Sequence, residues 1–130
     1  MLKKLINIIW KAEGQEDILT PINQQAKFEL RYESLVIGIL QLKEGIWTFS
    51  YSIEFRNQNK IKPLTDFPDI EKVYQSEDLY PFFIQRIPGL NQPKVKVAIE
   101  VENIDKTNEA ELLKRFGQYS IANPFRLVVA

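Results

Sequence analysis

Three pairs of carboxylates stand close together in the sequence: Glu77–Asp78, Asp66–Asp69 and Glu100–Glu102. Acid–base or metal chemistry would have to be built on them, because the 130 residues contain no histidine and no cysteine. The first absence removes the side chain that titrates nearest neutral pH. The second removes disulfides and thiolate metal ligands. Each acidic pair has an ordinary explanation: charge at a helix terminus, a turn, and a solvated face. A nucleophilic triad lacks its base. The five glycines, at 14, 38, 45, 89 and 117, are too far apart to form a phosphate-cradling loop. Asp66-Phe67-Pro68 differs from the metal-binding tripeptide of kinases in its third residue, and no catalytic aspartate–asparagine loop accompanies it. The expectation is a protein that is not an enzyme, with no catalytic, cofactor-binding or metal-binding residue.

Recognition is better provided for. Trp47, Phe49 and Tyr51 make an aromatic stripe at strand spacing, which reads as core. Arg86 falls within the apolar stripe of a helix that also carries Leu79, Phe82, Phe83 and Ile87. It either lays its stem on the core and pairs its head with an acid, or is presented to a partner. Gly89-Leu90-Asn91-Gln92 follows directly and offers an apolar residue in a loop at a helix end. Arg86, Gly89, Leu90 and Asn91 are the candidate partner-binding residues.

Lysines and arginines equal aspartates and glutamates, seventeen each. No overall positive field draws the chain to a phosphate backbone, so direct nucleic-acid binding is not expected. The N-terminus, MLKKLINIIWKAEG, lacks the long apolar core and cleavage site of a signal peptide. No apolar run is long enough to span a membrane. The expected location is the cytoplasm.

Periodicity sets the elements. Leu2, Leu5, Ile6, Ile9 and Trp10 share one face of a helix over residues 2–12, opposite Lys3, Lys4, Asn7 and Lys11. That helix packs on its own domain or docks elsewhere, self-association included. Residues 15–26 read as a connecting arm. From Phe28 the period is two, giving a strand to Tyr32, a turn at Glu33–Ser34, a central strand LVIGILQL, a turn at Lys43-Glu44-Gly45 and a strand IWTFSYS. Residues 54–73 read as irregular. The helix that follows is capped by Ser76 or Asp78, has Pro81 in its first turn and stops at Pro88-Gly89. Residues 93–101, PKVKVAIEV, alternate like a strand but begin with a proline that suits a helix. Asn108 and Glu111 form a capping-box pattern ahead of a helix ending at Gly117, and FRLVV reads as a closing strand.

Taken in order, IGIL at 37–40, GIWTFSY at 45–51, KPLTDFPD at 62–69, YQSEDLYPFFIQRIP at 74–88 and LLKRFGQYSI at 112–121 resemble the small N-terminal domain of HipA-family serine/threonine kinases. That family shows a VGxL strand, a G-x-x-x-F-x-Y strand, a proline–leucine segment, a helix ending FF-x-x-L-L-P and a helix reading LL-x-x-x-G before a terminal strand. The resemblance covers roughly residues 28–129. The chain departs from it in Ile87-Pro88-Gly89-Leu90-Asn91, where the family often has L-P-E-G-W, and in Ala122-Asn123-Pro124, where it usually has G-A. Residues 1–26 have no counterpart.

The resemblance implies an α+β fold: a small antiparallel β-sheet, a meander of three strands plus a C-terminal strand, with several short helices packed on it. It implies a helix over 93–101. It divides the chain into an N-terminal amphipathic helix and connecting arm, 1–26, and a HipA N-terminal-like domain, 27–130. It further implies a free-standing bacterial protein comparable to HipS, an antitoxin that binds and restrains a HipA-like kinase within a toxin–antitoxin system, with a helix-turn-helix repressor as a possible further partner. The alternatives are an activating subunit of a split kinase and a repurposed interaction module.

Overall fold

The computed structural model describes residues 18–130; the expected helix over residues 2–12 lies outside them. The alternating stretches form β1 (Ala26–Tyr32), β2 (Leu35–Lys43) and β3 (Ile46–Tyr51). Two-residue turns join them. Glu33 has φ 53°, and Glu44 and Gly45 have φ 53° and 77°. Positive φ at both central residues of the second turn gives it the mirror-type geometry whose twist suits a hairpin. β5 (Arg126–Val129) pairs with the outer edge of β1, and β4 (Tyr74–Ser76) with β3. The result is a five-stranded antiparallel sheet in the order β4-β3-β2-β1-β5, with β2 at its centre. Together with four short helices among the described residues this is the small α+β fold expected, enlarged by β4. Tyr74–Ser76, which lead up to the expected helix cap at Ser76 or Asp78, form this strand. The three residues are recruited by the free edge of β3, with Phe49 opposite Tyr74 and Trp47 opposite Ser76.

One face of the sheet is buried and the other half-exposed, as period-two patterning requires. Phe28, Leu30, Leu40, Leu42, Trp47, Phe49, Tyr51 and Leu127 fill the buried face. The helices among the described residues, α1 (Ile53–Arg56), α2 (Pro81–Ile84), α3 (Pro93–Val101) and α4 (Glu109–Phe116), add Phe55, Phe83, Val95 and Leu112 to the same core. Phe49 joins the two layers, its ring centroid 4.5 Å from Phe67 and 5.7 Å from Phe83. Gly38 makes room for it, since a Cβ there would stand 2.6 Å from the Phe49 ring and 2.6 Å from the Ser50 carbonyl. Residues 93–101 are helical, with Pro93 in the first turn. The alternation that imitates a strand leaves only Val95 buried, while Val97 and Val101 are exposed.

Two helix ends differ from expectation. Asn108 accepts from the Glu111 N–H at 3.1 Å. The Glu111 carboxylate turns outward to Gln24 and Lys114, so only half of the capping box forms. Gly117 has φ −87°, not a left-handed conformation. Its lack of a side chain matters because a Cβ would meet the Leu113 carbonyl at 2.5 Å. The arm is ordered where it is described. Leu19 bridges to the start of α4, donating to Thr107 O at 2.8 Å and accepting from Glu109 N at 3.0 Å.

Candidate functional site

The expected recognition helix is much shorter than its sequence signals. Tyr80 precedes it without a side-chain cap, Pro81 opens it, and it ends at Ile84. Ser76 Oγ accepts from Asp78 N at 3.1 Å, a local turn, and the first helical turn contains no acid. After Ile84 the chain continues in tight i→i+3 turns, Arg86 N to Phe83 O at 3.1 Å and Ile87 N to Ile84 O at 2.9 Å, up to Pro88. Leu79, Phe83 and Ile87 are core; Phe82 is half-buried.

Arg86 is 3% exposed, so it is not presented to a partner. Nor, among the described residues, does it pair with an acid. Nη1 donates to the carbonyls of Gly117 and Gln118 at 3.2 and 3.4 Å. Nη2 donates to Asn123 Oδ1 at 2.9 Å and Phe125 O at 2.8 Å. Nε has no hydrogen-bond acceptor. The head lies 5.8 Å from the centroid of the Phe82 ring. Desolvation pushes the guanidinium down to about 10, since nothing nearby repays burial of the charge with a full opposite charge. The head is buried because the segment 117–125 curls over Arg86 and turns its carbonyls inward.

Of the other three candidates, Leu90 is 7% exposed and is also withdrawn from the surface. Gly89 is half-buried, and Asn91 is exposed. The structure thus keeps Asn91, and the rim at Gly89, as groups available in that loop. Trp47, Phe49 and Tyr51 are core, as read.

Two features escaped the sequence reading. Glu109 is 1% exposed; its Oε1 accepts from Trp47 Nε1 at 3.0 Å and from Thr20 Oγ1 at 2.5 Å, tying the arm and β3 to the first residue of α4. No spacing in the sequence joins these three residues. The second feature is a groove of about 540 Å³ on the flank of α2, lined by Asp66, Phe67, Tyr80, Pro81, Phe82 and Gln85. Tyr80 Oη donates to Trp47 O at 3.1 Å, and burial pushes its hydroxyl up to about 12. Tyr51, beneath, donates to Phe67 O at 2.6 Å and accepts from Leu64 N at 2.9 Å. Desolvation raises it also to about 12.

Members of two of the carboxylate pairs are engaged locally. Asp69 Oδ1 accepts from Glu71 N at 3.0 Å within a turn. Glu102 takes a bidentate ion pair from Arg115, at 2.7 and 2.9 Å. Among the described residues no group of three acids gathers to hold a metal ion, and no helix is long and apolar enough to cross a membrane. Comparison with protein-family models, curated protein sequences and solved structures finds no match.

Proposed function

We propose that this chain is a non-catalytic binding protein of the bacterial cytoplasm, comparable to the separated N-terminal domain of a HipA-type kinase, and that it binds and restrains a partner kinase. The observation that carries this reading is the interdependence of the segments on which the resemblance rests. IGIL lies in the central strand, and GIWTFSY supplies Trp47, Phe49 and Tyr51 to the buried face. KPLTDFPD supplies Leu64 and Phe67 to the same core, the FF pair forms α2 against it, and LLKRFG ends α4. These segments build one core, which supports reading them as the parts of a single domain.

The contact surface under this reading is the outer side of α2 and the loop after Pro88, with Asn91 as its exposed polar group. Restraint would work by occluding the partner or holding one of its conformations, with a helix-turn-helix repressor as a further member of the complex. The test is co-expression with the neighbouring open reading frames, followed by a phosphorylation assay of any kinase that co-purifies. A fall in kinase activity when this chain is added supports the reading. A rise makes the chain an activating subunit of a split kinase. If no kinase-like protein is encoded nearby or co-purifies, the reading is wrong.

A further inference from the structure

The groove beside α2 has a composition that selects its ligand. Its walls are aromatic: Tyr80 stands edge-on to Phe67, with centroids 5.0 Å apart and planes at 84°, and Phe82 does the same at 6.3 Å and 79°. Its one formal charge is the carboxylate of Asp66, which is exposed and makes no hydrogen bond or ion pair among the described residues. Gln85 lies on the rim with a carbonyl oxygen to offer. Arg86, over the Phe82 ring, is not among the lining residues. A site with aromatic walls and one exposed carboxylate outside any hydrogen bond or ion pair is complementary to a flat organic cation. An arginine side chain fits better than lysine. Its planar head stacks on aromatic rings and forks onto a carboxylate, and it sheds water more easily than an ammonium. The volume lies within the range of ordinary ligand pockets.

We propose that this groove receives an arginine side chain from a partner protein, held by Asp66 and stacked among Tyr80, Phe82 and Pro81. The source of that arginine rests on the binding-protein reading; the groove's selectivity does not. The test uses the full chain, labelled with nitrogen-15 and titrated with N-acetyl-arginine methylamide, with the lysine and citrulline analogues as comparisons. Saturable amide shifts at Asp66, Phe67, Phe82 and Gln85, strongest for the arginine probe, are the expected result. Asp66→Asn should weaken binding about 5-fold, the worth of a partly exposed ion pair, and Gln85→Lys should abolish it. Both positions are exposed, so the spectra of the variants should otherwise overlay the parent. Equal shifts from the uncharged citrulline probe, equal affinity in Asp66→Asn, or no saturable shift overturns the proposal. Probe binding without any kinase partner leaves the groove standing and removes the antitoxin reading; a captured kinase without probe binding does the reverse.

Discussion

Replacing Arg86 tests whether a buried cation without a counter-ion can be an asset to the fold. Burial depresses its pKa from 12.5 to about 10, a cost on the order of 3 kcal/mol at neutral pH. Against this stand three well-placed hydrogen bonds, to Phe125 O at 2.8 Å, Asn123 Oδ1 at 2.9 Å and Gly117 O at 3.2 Å. Each charged donor contributes roughly 2 kcal/mol; the fourth, at 3.4 Å, is too long to count for much. The net is about 3 kcal/mol in favour of the folded chain, before the packing of the stem. Arg86→Ala should therefore lower the melting temperature by roughly 10 °C. The loss should also have a location, because Arg86 pins the segment that leads into β5. The Leu127 amide, which donates to Gln118 O at 2.9 Å, should lose hydrogen-exchange protection more than the amides of β2 and β3. Arg86→Lys keeps the charge but loses the fork, and should recover less than half of the stability. An Arg86→Ala variant that melts with the parent and keeps Leu127 protected would refute the reasoning. So would an Arg86→Met variant more stable than the parent, since desolvation would then outweigh the hydrogen bonds.

Gly38→Ala should destabilise by about 1–3 kcal/mol in denaturant melts, because the new methyl group meets both the Phe49 ring and the immobile Ser50 carbonyl. Tyr51→Phe strands the Phe67 carbonyl and the Leu64 N–H, at a cost of about 1–3 kcal/mol. Tyr51 and Tyr80 lose their protons near pH 12 in the fold and near 10 when unfolded, so their stabilisation is whole below pH 10 and is lost as pH rises through 12. Arg86 acts oppositely, its burial penalty fading as pH rises above 10. Ultraviolet titration should show two late tyrosines; if Tyr51→Phe and Tyr80→Phe titrate like the parent, the assignment fails. Asn108→Ala removes the cap on Glu111 N and the hydrogen bond that Asn108 Nδ2 donates to Gln24 Oε1, and should cost about 1 kcal/mol in a thermal melt.

The central strands were legible because one face of each meets the core, which writes burial into every second residue. The helix over 93–101 was not legible from pattern alone. It buries so little that its sequence was free to alternate, and only Pro93 marked its start. β4 and α1 were missed for another reason. Three residues at a sheet edge and a single turn capped by Ser52 have too little sequence to carry a period. The site was harder still. The stripe argument placed Arg86 in the apolar face, and there it lies, yet its partners are main-chain carbonyls that no residue type announces. The Glu109 contacts and the groove are tertiary facts, assembled from separate segments of the chain.

The pairing of β1 with β5 sets Phe28 opposite Val129, and Ala130 N donates to Lys27 O at 2.9 Å. In a nascent chain, β1 to β3 can form a meander long before residues 126–129 have left the ribosome. Until then β1 is an open edge, able to pair with another nascent chain. Lys27, Glu29 and Arg31 alternate along that strand with the core residues, and charges there discourage such pairing. Their value would then lie in the seconds of synthesis, and their replacement by threonine or valine would show as aggregation of newly made protein, with little change in the melting of what folds.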